Sequence, residues 1–392
     1  MYRFTLTMAL LLPAFGSLAD NFSDSAYSTL SSDKNDSSTQ IGGVLMLDYA
    51  LFDGNYRNDT SDKYEFDTEL RRARIDVKHK LNKAWKGKLQ ISFDEQDNSS
   101  EIGDAYIQFS GFDQTSLKKA KITIGQMKEP FGLENLTSSK ASTFLERSMA
   151  SNAFAPSRNK GMMLSSSNRN FTWALGAYDI DTENELSDPY SITGRMTWSA
   201  ILPDSKSHLT VDNQLFHLGL AASWRNLDGD EFEINERAEI HSADKVISSG
   251  EIDTDQVNLL GLEAAWVNGS LSLQTEYMHT HLAAVDSSED TNFNGYYLQS
   301  SYFLTGESRN YNKGVFSKVK PLSDLGAWEL TARYSVLDAQ EASEGNIGQT
   351  STLGLNYYYD ENLRLMANLL HSEVSDSEDD GNGLAFRLQY VF

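Results

Sequence analysis

Residues 383–392 alternate without interruption. Leu384, Phe386, Leu388, Tyr390 and Phe392 share one face, while Ala385, Arg387, Gln389 and Val391 share the other. A period of two with one large apolar face is the pattern of a half-exposed β-strand. A closing strand with clustered aromatics suits an outer-membrane barrel, where rings sit at the lipid–water interface and the opposite face meets a wet lumen. An edge strand of a soluble β-sandwich alternates equally well, so the rest of the chain has to decide.

Residues 1–19 read as a signal peptide. Arg3 supplies a positive start, Met8-Ala-Leu-Leu-Leu12 an apolar run, and Ser17-Leu-Ala19 small residues at a cleavage site. No later stretch approaches the roughly 20 apolar residues of a spanning helix. An exported chain of 392 residues without Cys has no disulfide framework and needs a large folded scaffold instead. Its mean hydropathy is −0.46, which a helical membrane protein would not show but a barrel with alternating walls would. The net charge of −23 argues against a nucleic-acid partner, since no basic patch dominates. It leaves ion preference open, because selectivity depends on the pore lining.

Residues 20–40 are rich in Ser, Asp and Asn and read as a flexible periplasmic lead-in. Strand patterns then recur at even spacing, with short turns alternating with longer loops. They cover 41–52, a second run ending near Lys80, 85–93, 104–109, 117–127, 161–167, 171–179, 191–201, 208–224, 231–241, 257–267, 270–281, 293–304, 326–337, 351–359, 364–371 and the closing strand. That makes seventeen candidates, reduced to 16 because both termini of a barrel should be periplasmic. The expectation is an all-β transmembrane antiparallel barrel of 16 strands over residues 41–392. Acidic clusters at 181–188, 228–239, 286–290 and 376–380 read as solvated outer loops, with divalent-ion binding as the weaker reading.

Several stretches resemble the phosphate-selective porin O and P family. They are Leu70-Arg-Arg-Ala-Arg-Ile75, Gly103-Asp-Ala-Tyr-Ile107, Ile124-Gly-Gln-Met-Lys-Glu-Pro-Phe-Gly-Leu-Glu134, Phe144-Leu-Glu-Arg-Ser148 and Arg158-Asn-Lys-Gly161. Further on come Ser301-Tyr-Phe-Leu-Thr-Gly-Glu-Ser-Arg-Asn-Tyr311, Gly326-Ala-Trp-Glu-Leu-Thr-Ala-Arg-Tyr-Ser335, Leu353-Gly-Leu-Asn-Tyr357 and Glu361-Asn-Leu-Arg-Leu365. The resemblance implies an outer-membrane channel that is a homotrimer of 16-stranded barrels, passing phosphate or other small anions through a pore lined by Arg and Lys. The 33-residue stretch 128–160 follows the fifth strand, so it is the third outer loop. In 16-stranded porins the loop in this position folds inward, and at Pro130-Phe131-Gly132 the chain would leave the wall.

An anion path needs cationic donors where the ion sheds water. Alternation and position nominate Arg72, Arg74 and Lys78 on the second strand and Lys119 and Lys121 on the fifth. On or beside the loop they nominate Lys128, Lys140, Arg147, Arg158 and Lys160. In the alternative reading, Arg147 and Arg158 pair with Glu129, Glu134 or Glu146 and only pin the loop. Arg309 and Arg333 read as scaffold.

Signals for catalysis are poor. Ser31-Ser-Asp-Lys34 lies in the Ser-rich lead-in, and the stretch from Asp376 carries Arg387 where a calcium loop needs Glu. His279 and His281 share a strand face without a third ligand, so no metal, cofactor or catalytic group is expected. The acidity keeps a weakly selective or cation-tolerant porin as the runner-up, with a barrel adhesin or lipid-acting enzyme behind it.

Overall fold

The computed structural model describes residues 28–32, 37–57, 63–94, 99–112, 119–180, 188–203, 213–285, 290–341 and 344–392. A short strand, β1 (Ser28–Ser32), lies antiparallel against the start of β2 (Ser37–Phe52). The wall continues through β3 (Glu65–Lys80), β4 (Trp85–Asp94), β5 (Ser99–Phe109), β6 (Ala120–Lys128), β7 (Arg158–Ser167), β8 (Phe171–Asp179) and β9 (Tyr190–Pro203). Then follow β10 (Asn213–Glu236), β11 (Ile247–Asn268), β12 (Leu271–Ala284) and β13 (Thr291–Phe303). After a small hairpin of β14 (Asn310–Asn312) and β15 (Val315–Ser317) come β16 (Ala327–Asp338), β17 (Ile347–Tyr358), β18 (Leu363–Val374) and β19 (Gly381–Val391). Leaving aside β1 and the hairpin, 16 antiparallel strands form one ring. It closes where β19 pairs with β2, setting Phe386 against Tyr49 and Arg387 against Asp48.

Closure removes every free edge, and alternation sorts the two faces. On β19, Phe386 and Tyr390 are 45% and 47% exposed, whereas Arg387 and Gln389 are each 3% exposed. Among the described residues no helix is long and apolar enough to cross a membrane; the strands cross it.

Strand boundaries depart from the sequence reading in four instructive places. Residues 208–224 and 231–241 were expected as separate strands, but β10 is one strand of 24 residues. A register shift between Asn226 and Asp230, with Asp228 at φ 58° and Gly229 at φ 82°, imitates a loop inside it. Most of the acidic cluster 228–239 is therefore strand, not loop. β2 starts at Ser37, so the pairing reaches into the stretch expected as lead-in. β7 starts at Arg158, because the ladder of Lys128 with Arg158 and Gln126 with Lys160 carries on through polar residues; the third outer loop is 129–157. Lys119 precedes β6 instead of lying on it. The signal peptide, and the acidic stretches 181–187 and 286–289, lie outside the described residues.

The C-terminal ring is seated by a glycine. Gly43 donates its N–H to the Phe392 carbonyl at 2.7 Å, and a Cβ on Gly43 would collide with both the Arg74 carbonyl and the Phe392 ring. Gly43→Val should cost about 1–3 kcal/mol of local overpacking at the seam. We expect a several-fold fall in folded, heat-modifiable barrel on cold gel electrophoresis; a wild-type band pattern would show that the seam tolerates the side chain.

Candidate functional site

Loop 129–157 is bonded to strands on opposite sides of the ring, which places it inside the barrel. It begins where Pro130 ends β6 and Gly132 takes φ 75°, just before a short helix α1 (Leu133–Leu136). The free N–H groups of Leu133 and Glu134 each donate to the Glu276 carboxylate on β12 at 2.7 Å, and Tyr297 donates to the same carboxylate at 2.6 Å. A second helix, α2 (Met149–Phe154), is capped by Ser148 and packs against β10, β12, β13 and β16.

The loop's acidic residues are held by arginines of the wall. Arg225 on β10 reaches Glu129 at 3.0 Å, and Arg333 on β16 reaches Glu134 at 3.2 Å and also contacts Glu239. Arg71 on β3 grips Glu146 in a two-pronged contact at 2.9 and 3.0 Å. Arg387 on β19 bridges Glu146 at 2.7 Å and Asp48 at 2.5 Å. Glu146 is where these elements meet. Burial opposes its ionisation, but Arg71 and Arg387 hold the carboxyl well below the ordinary glutamate range. Burial pushes Glu239 the other way, above its ordinary range, despite the Arg333 guanidinium.

With the carboxylates gripped by Arg71, Arg225, Arg333 and Arg387, other cations make no direct ion pair among the described residues. Among the described residues, Arg147 bonds only the Asn135 carbonyl, at 3.4 Å, and Lys128 bonds the carbonyl and amide oxygens of Asn135. Arg309 bonds the Gln274 amide at 3.0 Å and lies over the Phe316 ring at 3.6 Å. Arg72 has no hydrogen-bond partner among the described residues. Arg72, Arg147 and Arg309 line one cavity of about 60 Å³ together with Arg71, Arg387 and Glu146. Burial pushes the guanidinium of Arg147 below its ordinary value, and does the same at Arg309. Three cations from three segments thus face one small space, beside Glu134 and Glu146 but with no ion pair of their own among the described residues, an arrangement that could accept an anion.

A second cavity of about 240 Å³ is lined by Lys121, Lys128 and Lys313, with Arg195 beside them. Arg195 itself is committed to Glu263 at 2.6 Å.

The nominated residues therefore divide. Arg72, Arg74, Lys128, Arg147 and Arg158 are near neighbours around the loop, and Lys121 faces the second cavity. Arg74 bonds Ser92 at 2.8 Å, while Arg158 is paired with Asp104 at 2.6 Å. The expected alternative, Arg147 and Arg158 pairing with the loop's glutamates, does not describe the contacts: those glutamates go to wall arginines. Lys140 pairs with Asp76 at 2.6 Å, and Lys78 follows on the same face of β3. Two candidates do not join this group. Lys119 is exposed in the turn before β6, and Lys160 is exposed in step with Met162 on the outward face of β7.

Sequence reasoning missed Arg71, Arg309 and Arg387. Strict alternation points Arg71 outward; a β-bulge reverses it. Met46 pairs with Arg72 and Asp48 with Glu69, so Leu70 and Arg71 together oppose Leu47 and two consecutive arginines enter the lumen. Arg387 was on the inward face by alternation, and only its two carboxylate partners were unreadable. Arg309 enters from the connection 304–326 between β13 and β16, whose hairpin folds back against α1.

Residues 39–392 match the sequence profile described as phosphate-selective porin O and P. Porin O of Pseudomonas aeruginosa is 28% identical over 406 aligned residues, spanning 91% of this chain and 88% of its own length. Among solved structures, an anion-selective porin from Comamonas acidovorans superposes with a TM-score of 0.59 at 14% identity, covering 91% of this chain and 100% of its own. OmpT, an outer membrane protein of Vibrio cholerae, gives 0.58 at 10% identity, with 93% and 100% coverage. At such identities these structures speak for the fold alone.

Proposed function

Because the chain belongs to the phosphate-selective porin O and P family and is an outer-membrane channel, we propose that the cavity under loop 129–157 is its anion-selecting site. Arg72, Arg147 and Arg309 take over the hydration shell of a phosphate, while Arg71 and Arg387 hold Glu146 and with it the loop. The observation that carries this reading is the division of labour among cations: wall arginines neutralise the loop's glutamates, leaving three guanidinia for a permeant. The net charge of −23 does not oppose it, since selectivity depends on the pore lining and the acidic residues 376–380 lie in an exposed turn. Lys121 and Lys313 extend the cationic path past the loop. The assembly is read as a homotrimer, the form also recorded for the Vibrio cholerae protein.

The test is a single-channel recording in a planar bilayer under a potassium chloride gradient, with phosphate then titrated in. We expect an anion-signed reversal potential and chloride current blocked by phosphate. A cation-signed potential without block would sink the site and favour a cation-tolerant porin on the same scaffold.

A further inference from the structure

We infer that Gln299 gives the cavity a preference for a protonated oxyanion, so that it takes phosphate over sulfate. This rests on the anion-site reading above and adds a specificity to it. Guanidinia alone rank oxyanions by charge and shape, and they cannot tell two tetrahedral dianions apart. Phosphate near neutral pH keeps at least one O–H, whereas sulfate has none. A neutral hydrogen-bond acceptor in the site satisfies that O–H and sets lone pair against lone pair when sulfate enters.

The buried carboxylate and amide acceptors around this cavity are largely spent among the described residues. Glu134 receives Arg333 on one oxygen and the Ser148 N–H and hydroxyl on the other, at 3.0 and 2.8 Å. Both oxygens of Glu146 receive Arg71, and one also receives Arg387. The Gln274 oxygen receives Arg309. Of the loop carbonyls, Ser142 receives Arg364 at 2.7 Å and Leu145 receives Arg387.

Among the buried side chains that line it, Gln299 is the exception. It lies on β13 between Gln274 and Arg333, lines the same cavity and is 4% exposed. Its Oε1 is buried with no hydrogen-bond partner among the described residues. Other buried side-chain oxygens lack a partner, at Asn356 and Asn368 for example, but among the described residues Gln299 is the one that lines this cavity beside the three guanidinia. The terminal amide torsion is broad and roughly two-fold, so the oxygen can turn to the anion without moving the strand. Being neutral, it accepts the proton's hydrogen bond without repelling the anion, as a carboxylate there would.

The test compares inorganic phosphate with sulfate as blockers of chloride current at about pH 8, above phosphate's second pKa, where both are dianions. The wild-type porin should be half-blocked by phosphate at roughly a tenfold lower concentration than by sulfate, one good hydrogen bond's worth of discrimination. Gln299→Met, of similar size but without the acceptor, should collapse that gap. Gln299→Glu should weaken block by both anions. Equal block of the wild type, or a gap that survives in Gln299→Met, overturns the role of Gln299 and leaves the cavity an unselective anion site. Block by neither anion overturns the anion site itself. If Gln299→Met fails to assemble, Gln299→Leu, which also lacks the acceptor, carries the same comparison.

Discussion

Replacing Arg72 and Arg147 by glutamine should raise the half-blocking concentration of phosphate by roughly 10- to 100-fold for each residue, since a hydrogen bond to a charged group contributes about 1.5–3 kcal/mol. The double variant should lose less than the product, because both guanidinia bind one anion and their effects couple. Arg158→Gln is the informative contrast. Its guanidinium is already committed to Asp104 at 2.6 Å, so removing it should shift block only a few-fold. The same titration series in a planar bilayer measures all three, and the reversal potential should move toward cations in the order Arg147, Arg72, Arg158. Equal effects at Arg147 and Arg158 would mean that pairing does not decide which cations select. Lysine would not substitute fully at Arg147: a point charge on a flexible stem cannot offer two parallel donors to one oxyanion.

Those residues also show what could be read from sequence and what could not. Alternation on β3 correctly put Arg72, Arg74 and Asp76 on one face, since a wall between lipid and water imposes a period of two on every strand. The closing strand was legible for the same reason. Arg71 was not. A bulge is one added residue in the pairing of two strands, and nothing local to Leu70-Arg-Arg72 marks it. The split of β10 into two apparent strands has the mirror-image cause: Asp228 and Gly229 carry turn chemistry that a bulge uses without ending the strand. Partner choice was the least legible of all. Glu134 could have met Arg147, thirteen positions away, but it meets Arg333 on the far wall, and only the closed ring makes those two neighbours. Arg309 lay in the most family-like motif and looked like scaffold, because no period governs a connection that turns back into a lumen.

The second large effect is expected at Glu146. Glu146→Gln leaves Arg71 and Arg387 facing a neutral amide, and removing one partner from a buried pair costs about 3–5 kcal/mol locally. The ring of 16 strands does not depend on this contact, so the barrel should still form and the loss should fall on the loop. Two opposing results follow. One negative charge fewer beside the cavity favours anions, while a loosened Arg147 blurs the geometry that binds phosphate. Geometry should win, because the charge gained is shared with two arginines that then turn to solvent or to Asp48. We therefore expect anion-over-cation selectivity to hold or rise, phosphate block to weaken about tenfold, and current noise to increase. Protease cleavage within 129–157 should be faster than in the wild type. The pH dependence carries the same signature. A carboxyl held below its unfolded range contributes stability that is fully present above about pH 4.5 and is lost only as pH falls through the depressed folded value. The wild-type pore should thus stay quiet to well below pH 4.5 and become noisy in stronger acid, whereas Glu146→Gln should be noisy at every pH. Identical noise in the two proteins across that range would show that the loop is held by its other contacts, those of Glu129, Glu134 and Lys140, and that Glu146 is dispensable.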